Sequence, residues 1–204
     1  MTAPVDRDQF VQVDEAELIR AHMYGLLGKL LGQPPSQSTL DDVSRLEGDD
    51  TPMGAAIDAL AIGARGAREA DVAREYNALF IGLGRGALLP YGSYYLTGFL
   101  NEKPLAVLRN HMAMLGIVRA DNVSEPEDHI ASLCEIMAAQ ISGEFGPPVT
   151  LGDQEAFFNT HLAQWAGHFF ADLEAAKQAR FYAPVGRMGR LFMNIEIEGF
   201  RMLR

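Results

Sequence analysis

The residues of this chain whose types and spacing could do chemistry are Asp128 and His129, directly after the run Ser124-Glu125-Pro126-Glu127. The spacing of Ser124 and Glu127 is that of a capping box, which predicts a helix start, and the positive partial charge there stabilises Asp128 as an anion. Because acidic neighbours favour a protonated imidazole, we expect His129 to gain a proton readily. The pair could act as acid and base, or it could bind a charged peptide group. A simpler interpretation is that these acids only complement the helix dipole.

A second stretch, from Tyr76 to Tyr95, joins an apolar helix end to three alternating glycines, then to Pro90 and to several tyrosines. The glycines and the proline predict a long connection rather than a continued helix. Connections are normally polar, and those crowded with aromatic side chains more often bind a partner. We therefore expect the rest of the chain to act as a scaffold for this central loop.

Three other kinds of functional site lack the residue types or the residue spacing that they require. A carboxylate-bridged di-metal site in a helical bundle needs Glu three residues before His, and none of the five histidines has one. The glycines from 82 to 86 follow a predicted helix rather than a strand and lack the lysine of a phosphate loop, which leaves only weak nucleotide contact open. Gly92-Ser93-Tyr94 lacks the second glycine of a nucleophile elbow, and Cys134 falls on an apolar helix stripe, where its thiol would be inert.

Composition narrows the class of protein. The 204 residues are 48% hydrophobic, enough for one sizeable core, and the formal net charge of -10 disfavours nucleic acid and favours neutral or cationic partners. The single cysteine fits a reducing compartment, and neither a signal sequence nor a run long enough for stable membrane insertion is present. We expect one cytoplasmic domain over residues 1–204, with residues 1–13 flexible.

The spacing of apolar residues predicts helices throughout and gives no sustained strand pattern, so the expected fold is an all-α, single-domain helical bundle with a long central loop. A capped start at Asp14 and an end at Gly32 bound the first helix, and a long aromatic helix is predicted from Asp153 through Leu173. The remaining helices are predicted at about 38–46, 53–64, 67–80, 101–116, 124–141 and 185–199.

In their order along the chain, these motifs resemble those of the TorD/DmsD/NarJ family of molybdoenzyme maturation chaperones. The resemblance is carried by Tyr76-x-x-Leu79-Phe80, a glycine-rich turn, Leu89-Pro90-Tyr91-Gly92-Ser93-x-Tyr95, and then Glu125-Pro126-Glu127-Asp128-His129. Tyrosine stands at positions 76, 91 and 95, where relatives often have tryptophan. The helix pattern and the length agree over nearly the whole chain.

The resemblance implies an all-α fold, no catalysis, and no metal or cofactor of its own, with weak GTP or molybdopterin contact left open. It implies binding of the twin-arginine signal peptide and the apo form of a molybdoenzyme, with formate dehydrogenase, dimethyl sulfoxide reductase and trimethylamine N-oxide reductase as candidate clients. The family's peptide-binding positions correspond here to Tyr76, Leu79, Phe80, Pro90, Tyr91, Tyr95, Asp128 and His129.

The residues themselves fit such a ligand, since a twin-arginine signal joins a basic start to an apolar segment. Glu125 and Glu127 beside Asp128 would meet the arginines, and Tyr94 and Phe99 would join the aromatic positions that accept the apolar part. Two rivals stay open: a small GTP-hydrolysing enzyme that uses Asp128 and His129 as acid and base, and a purely structural helical adaptor. Both a monomer and a domain-swapped dimer are compatible with the long loop.

Overall fold

The computed structural model describes residues 14–82, 86–118, 125–144 and 149–202. Within these ranges the chain forms α-helices, one π-helical segment and no strand, which confirms the all-α prediction. The expected flexibility of residues 1–13 lies outside the described residues. The helices are α1 (Glu15–Gly32), α2 (Gln37–Val43), α3 (Pro52–Ala64), α4 (Glu69–Tyr76), the π-helical segment (Asn77–Ile81), α5 (Gly92–Thr97), α6 (Lys103–Met114), α7 (Ile130–Ser142), α8 (Leu151–His161), α9 (Ala166–Ala175) and α10 (Tyr182–Met202).

Two helix pairs build the core: α1 packs along α7, and α10 packs along α9 and also against α3. The close approach of α1 to α7 depends on Gly28, because an added Cβ there would lie 2.8 Å from Cγ of Glu135 and 3.4 Å from the carbonyl oxygen of Ala131. Apolar side chains from these helices, from α8 and from the α8–α9 junction form the core with almost no exposed surface; the largest are Trp165, Tyr24, Tyr182, Phe157, Phe158, Phe169 and Phe170.

Side chains tie the ends of helices to one another. The hydroxyls of Tyr76 and Tyr182 donate to the carbonyls of Leu31 (3.1 Å) and Leu30 (3.0 Å), which satisfies acceptors in the last turn of α1. At the start of α10, the carboxylate of Glu75 accepts hydrogen bonds from the backbone N–H groups of residues 180, 181 and 182 at 2.8, 3.2 and 2.8 Å. The helix that leads into the central loop is therefore fixed to both α1 and α10.

A buried ion pair joins the first helix to the last. Arg20 donates to both carboxylate oxygens of Glu196 at 2.7 Å, and the hydroxyl of Tyr24 donates to the same carboxylate at 2.9 Å. Arg20 also reaches Gln154 on α8 at 2.9 Å. Because removal of one partner from a buried, hydrogen-bonded pair leaves an uncompensated charge, this cluster holds α1, α8 and α10 in a fixed relation.

Three predicted boundaries differ from the structure. The helix expected at Ser124 begins at Ile130; Ser124 lies outside the described residues, and Glu127 and Asp128 form a turn. The long helix expected from residue 153 to 173 breaks between His161 and Ala166, where the indole N–H of Trp165 donates to the carbonyl of His161 at 2.6 Å. Residues 92–97, assigned to the loop, form the short helix α5. At α5 and α7 hydrogen bonds between residues distant in sequence overrule a local signal, whereas the bond of Trp165 spans only four residues.

Gly186 shows how closely α9 and α10 pack, since a Cβ at this position would lie 2.8 Å from the carbonyl oxygen of Phe170 and in overlap with the backbone of Glu174. We expect Gly186→Ala to lower the free energy of unfolding by about 1–3 kcal/mol, because the backbone of α9 must shift. Gly199 on the same helix has open space around its Cα. The matched variant Gly199→Ala should gain up to about 1 kcal/mol from helix propensity. Urea unfolding measures the free energy of unfolding of both variants. An equal change in the two variants would contradict the close packing at Gly186.

Candidate functional site

The central loop and the turn before α7 are joined by a short antiparallel pairing, here called the bridge, between residues 90–93 and 128–130. Tyr91 and His129 face each other in it. The N–H of Gly92 donates to the carbonyl of Asp128 at 2.9 Å, and the N–H of Ile130 donates to the carbonyl of Pro90 at 2.8 Å. The two stretches singled out in the sequence therefore lie side by side.

Asp128 is the buried partner in this bridge, with 3% of its surface exposed. Its Oδ2 accepts from the N–H of Ser93 at 2.7 Å, in the first turn of α5. A carboxylate at that place satisfies an unpaired helix N–H and complements the helix dipole, although it comes from a distant part of the chain. Asp128 thus positions α5, and it is not the exposed anion that the sequence suggested.

His129 is buried as well and serves as the N-cap of α7, where its Nδ1 accepts from the N–H of Ala131 at 3.1 Å. Burial lowers the pKa of His129 to about 4, against the opposing effect of the carboxylates of Glu125 and Asp128. The expectation of a readily protonated His129 is therefore wrong. Desolvation of the charged ring outweighs the nearby acids.

The chain before the bridge folds back on the π-helical segment. Gly82 ends that segment with a φ of +60°, and the N–H of Leu88 donates to the carbonyl of Leu79 at 2.8 Å. Gly86 must be a glycine in this arrangement, because a Cβ there would lie 2.6 Å from the carbonyl oxygen of Phe80. The glycine-rich turn therefore serves close backbone contact within the described part of the loop.

A cleft of about 560 Å³, here called the anionic cleft, lies between the loop, α1 and α7. Its walls include six of the ten predicted site residues, namely Tyr76, Phe80, Pro90, Tyr91, Glu125 and His129. Tyr91 is half-buried, its ring meets the ring of His129 edge to face at 5.1 Å, and its hydroxyl donates to Glu125. The structure thus brings aromatic rings and a carboxylate to one opening.

Glu135 is the acidic wall residue among those that sequence reasoning missed. It lies on α7, one turn after Ala131, and burial followed by the charge of Glu144 raises the pKa of its carboxyl group. The signal for it is the stripe of Gly25, Gly28 and Gly32 on α1, where the lack of a side chain at Gly28 lets Glu135 of α7 approach closely. Lys29 is the one lysine or arginine among the described residues that line this cleft.

The other predicted site residues do not line the anionic cleft. Leu79 is fully buried in the core. Tyr94 and Tyr95 lie on α5, where Tyr95 is half-buried, packs 5.5 Å from the ring of Trp165 and donates to Asp172 at 2.9 Å. Asp128 faces a second cleft that shares no lining residue with the first. The peptide-binding role of these residues stays a prediction.

Residues 14–82, 86–118, 125–144 and 149–202 contain neither a metal-binding cluster nor a helix able to cross a membrane. Within them no three histidine, cysteine or acidic side chains are grouped closely enough to hold a metal ion. None of the helices placed by the structure combines the length and the apolar character that crossing a membrane requires.

Burial strongly raises the pKa of the Cys134 thiol, which agrees with the inert cysteine expected from the sequence.

The buried histidines predict how stability depends on pH. Burial also lowers the pKa of His161 to about 4, with a further contribution from His111, whose Nδ1 lies 2.9 Å from Nε2 of His161. Below the ordinary histidine pKa of about 6.5 the unfolded chain binds protons that the folded protein does not, so the free energy of unfolding falls until the pH reaches about 4. We expect a loss on the order of 2 kcal/mol for each of these histidines between pH 7 and 4.5.

Urea unfolding across this pH range checks the expectation. His129→Asn keeps an N-cap acceptor and removes one titrating ring, so its pH profile should be flatter than that of the wild type. The control His22→Asn changes an exposed histidine on α1 and should keep the wild-type slope. A His129→Asn profile parallel to that of the wild type would contradict the lowered pKa.

Comparison with known proteins identifies relatives along most of the chain. Residues 46–171 match the family model described as nitrate reductase delta subunit. The TorD chaperone of Vibrio cholerae is 26% identical over 192 residues, covering 90% of this chain and 83% of its own, and that of Photobacterium profundum is 27% identical over 187 residues, covering 80% and 85%. A crystal structure from Archaeoglobus fulgidus, described as a redox enzyme maturation protein, is 21% identical and covers 93% of this chain and 99% of its own with a TM-score of 0.58, which shows a shared fold.

The family model spans more than half of the sequence, and it matches the stretch that contains both halves of the bridge. The motifs that carried the resemblance are therefore the ones that the fold brings together. The chain belongs to the nitrate reductase delta subunit family, the TorD/DmsD/NarJ family of molybdoenzyme maturation chaperones.

Proposed function

We propose that this maturation chaperone acts in the cytoplasm, where it binds the twin-arginine signal peptide of a molybdoenzyme and holds the apoenzyme until its cofactor is inserted, before export. The observation that carries the proposal is the anionic cleft, in which aromatic rings from the loop stand beside carboxylates from the turn and α7. Such a cleft matches a ligand with a cationic start and an apolar continuation. Formate dehydrogenase, dimethyl sulfoxide reductase and trimethylamine N-oxide reductase are the client types proposed.

The arginines of the peptide have two carboxylates to meet. Glu125 is exposed at the opening and is held by the hydroxyl of Tyr91, so little side-chain freedom is lost when it binds a guanidinium group. Glu135 is partly desolvated, and a cation beside it would favour its charged form. Charge-assisted hydrogen bonds of this kind contribute about 1.5–3 kcal/mol each.

Glu127 is less available than the sequence suggested, because it already accepts from Arg109 at 2.8 Å. Asp128 is buried and holds the backbone of Ser93. The proposal therefore assigns the arginines to Glu125 and Glu135. The net charge of -10 over the whole chain adds a long-range attraction for the basic end of the peptide, which increases the rate of encounter at low salt.

The apolar part of the peptide packs against Phe80, Ile81 and Pro90. Ile81 is 60% exposed, which is a large exposure for an isoleucine that borders an opening. Burial of about 300 Å² of apolar surface would contribute roughly 7 kcal/mol before the costs of association, which is compatible with micromolar binding. Reversible binding suits a chaperone that must release its client.

The acid–base alternative loses its support in the geometry. A neutral His129 with Nδ1 engaged by the backbone and a buried Asp128 engaged with Ser93 are both occupied in holding the bridge together. We propose no catalytic role and no cofactor for this protein. The proposed peptide binding does not depend on whether the protein is a monomer or a domain-swapped dimer in solution.

Glu125→Gln tests the site. The glutamine can still accept from Tyr91, so the loop should stay in place while the charge is lost. We expect the dissociation constant for a twin-arginine signal peptide to rise about 10- to 100-fold, which corresponds to one charge-assisted hydrogen bond. Isothermal titration calorimetry with synthetic signal peptides of candidate clients measures this.

The matched control is Glu47→Gln, which removes an exposed acid in the connection between α2 and α3 and should leave affinity unchanged. A peptide with both arginines replaced by glutamine should bind the wild type more weakly than the normal peptide binds Glu125→Gln, because it also loses the contact with Glu135. If the wild type, shown to be folded by circular dichroism, binds none of the signal peptides, the proposed function fails. If Glu125→Gln and Glu47→Gln behave alike, the arginines bind elsewhere.

A further inference from the structure

A second cleft, also of about 560 Å³, opens between α5, α6, α7 and the α8–α9 junction. It is here called the neutral cleft, and its walls include Gly92 and Asp128 from the bridge, Val107 and Leu108 from α6, Leu133 from α7, and Trp165. Its volume is that of a site for a ligand of several hundred daltons or a few residues of peptide. Nothing in the proposed signal-peptide site uses it.

At the centre of the bridge, neighbouring residues line different clefts. Tyr91 and His129 line the anionic cleft, whereas the adjacent residues Gly92 and Asp128 line the neutral cleft. This alternation is what an extended, paired backbone produces, since successive side chains point to opposite faces. The bridge is therefore a wall shared by two separate openings.

A buried acceptor at the wall of the neutral cleft lacks a partner. Oδ2 of Asp128 is used by Ser93, but its Oδ1 has no hydrogen bond to any residue that the structure describes. The hydroxyl of Ser93, the residue next to Gly92, is likewise buried and unpaired within the described ranges. Buried polar atoms are paired in the large majority of cases, and an unpaired one costs about 1–3 kcal/mol. An N–H group of a ligand would satisfy Oδ1.

The neutral cleft has apolar walls interrupted by the uncharged polar residues Thr97, Thr160 and Gln164 and by His161, and apolar residues are exposed at its rim. Leu96 is 38% exposed and Val107 is 42% exposed, and both line it. Phe99 and Leu100, which follow Gly98 at the end of α5 and do not line the cleft themselves, are 69% and 41% exposed. Four large apolar side chains exposed so close together along the chain suit a partner that covers them, because scattered single residues are the usual pattern on a surface.

The charges at this cleft differ from those at the first. Lys103 lines it and begins α6, so that both its ammonium group and the positive end of a 12-residue helix lie there. No carboxylate other than the buried Asp128 is found among the described residues of its wall. A segment rich in arginine is thereby disfavoured, and an uncharged apolar segment is favoured.

We infer that the neutral cleft is a separate docking site for an uncharged, apolar segment of client polypeptide, one of whose N–H groups donates to Oδ1 of Asp128. The inference rests on the proposed function only for the source of the segment, which is the chaperone's client. An incompletely folded client exposes such segments, and a second contact would hold it while the first cleft holds its basic end. Two weak contacts on one chain raise the combined affinity through effective concentration.

Binding at the neutral cleft can be followed by tryptophan fluorescence, because Trp165 lines this cleft and is the one tryptophan of the chain. The probe is an acetylated and amidated octapeptide of leucine, alanine and serine, titrated into the full chain while the emission of Trp165 is followed. We expect a saturable change in emission. A version with two arginines in place of two leucines should bind at least tenfold more weakly.

Val107→Asp places a charge at the exposed rim and should weaken the octapeptide at least tenfold. Asp128→Asn keeps an acceptor for Ser93 but replaces the unpaired oxygen with an NH₂ group, so it should also weaken the octapeptide. Because Asp128→Asn can also disturb the bridge, its melting temperature is compared with that of the wild type, and Val107→Asp decides the matter if the temperatures differ. Glu125→Gln, on the other cleft, should change the affinity for the octapeptide by less than twofold.

The absence of a saturable change in the wild type would overturn the inference, and so would an octapeptide affinity that Val107→Asp leaves unchanged. A tryptophan signal that depends on protein concentration without any peptide would mean that a second copy of the chain covers the cleft, and it would overturn the inference as well. Calorimetry with a twin-arginine peptide is run on the same variants. Normal binding of that peptide to Val107→Asp separates failure at this cleft from failure of the proposed function.

Discussion

The pairing of residues 90–93 with residues 128–130 is the constraint on which the functional surface depends. In a chain otherwise built from helices, two main-chain hydrogen bonds and the carboxylate of Asp128 join the central loop to the start of α7. Each such bond contributes only about 1 kcal/mol net, but each also satisfies a buried polar group that would otherwise destabilise the fold. The loop is thereby placed against the helix whose side chains complete both clefts.

The helices around the bridge support it in a consistent way. The small residues on α1 bring α7 close and leave an opening beside Glu135. The hydroxyls of Tyr76 and Tyr182 fasten the loop-bearing side of the molecule to the last turn of α1. Tyr76 thus has a structural bond and a place in the cleft wall at once, so its substitution would affect stability as well as binding. Substitution of Glu125, which is exposed, separates the effect on binding from the effect on stability better.

Helical periodicity was sufficient to predict the fold class and most helices, because an apolar stripe recorded in the sequence is also the face that becomes buried. The start of α7 was predicted wrongly, since the capping box competes with the hydrogen bonds that residues 128–130 make to the loop, and those partners are distant in sequence. Local signals cannot report such contacts. The break before α9 is different, because the bond found there is local and joins the indole N–H of Trp165 to the carbonyl of His161, four residues earlier.

The site was only partly predictable for a similar reason. The order of motifs indicated which residues belong together, but not which of them are buried. Burial reverses the expected charge of His129, removes Asp128 from the exposed surface and raises the pKa of Glu135. Each of these effects depends on desolvation by side chains from other helices, which the sequence does not display.

The position of the arginine pair of a bound signal peptide tests the proposed site directly. A signal peptide with a photoreactive residue beside its arginines can be cross-linked to the full chain and the products mapped by mass spectrometry. We expect cross-links to residues 125–135 and to the loop around Tyr91. Cross-links confined to α3 or α10 would contradict it.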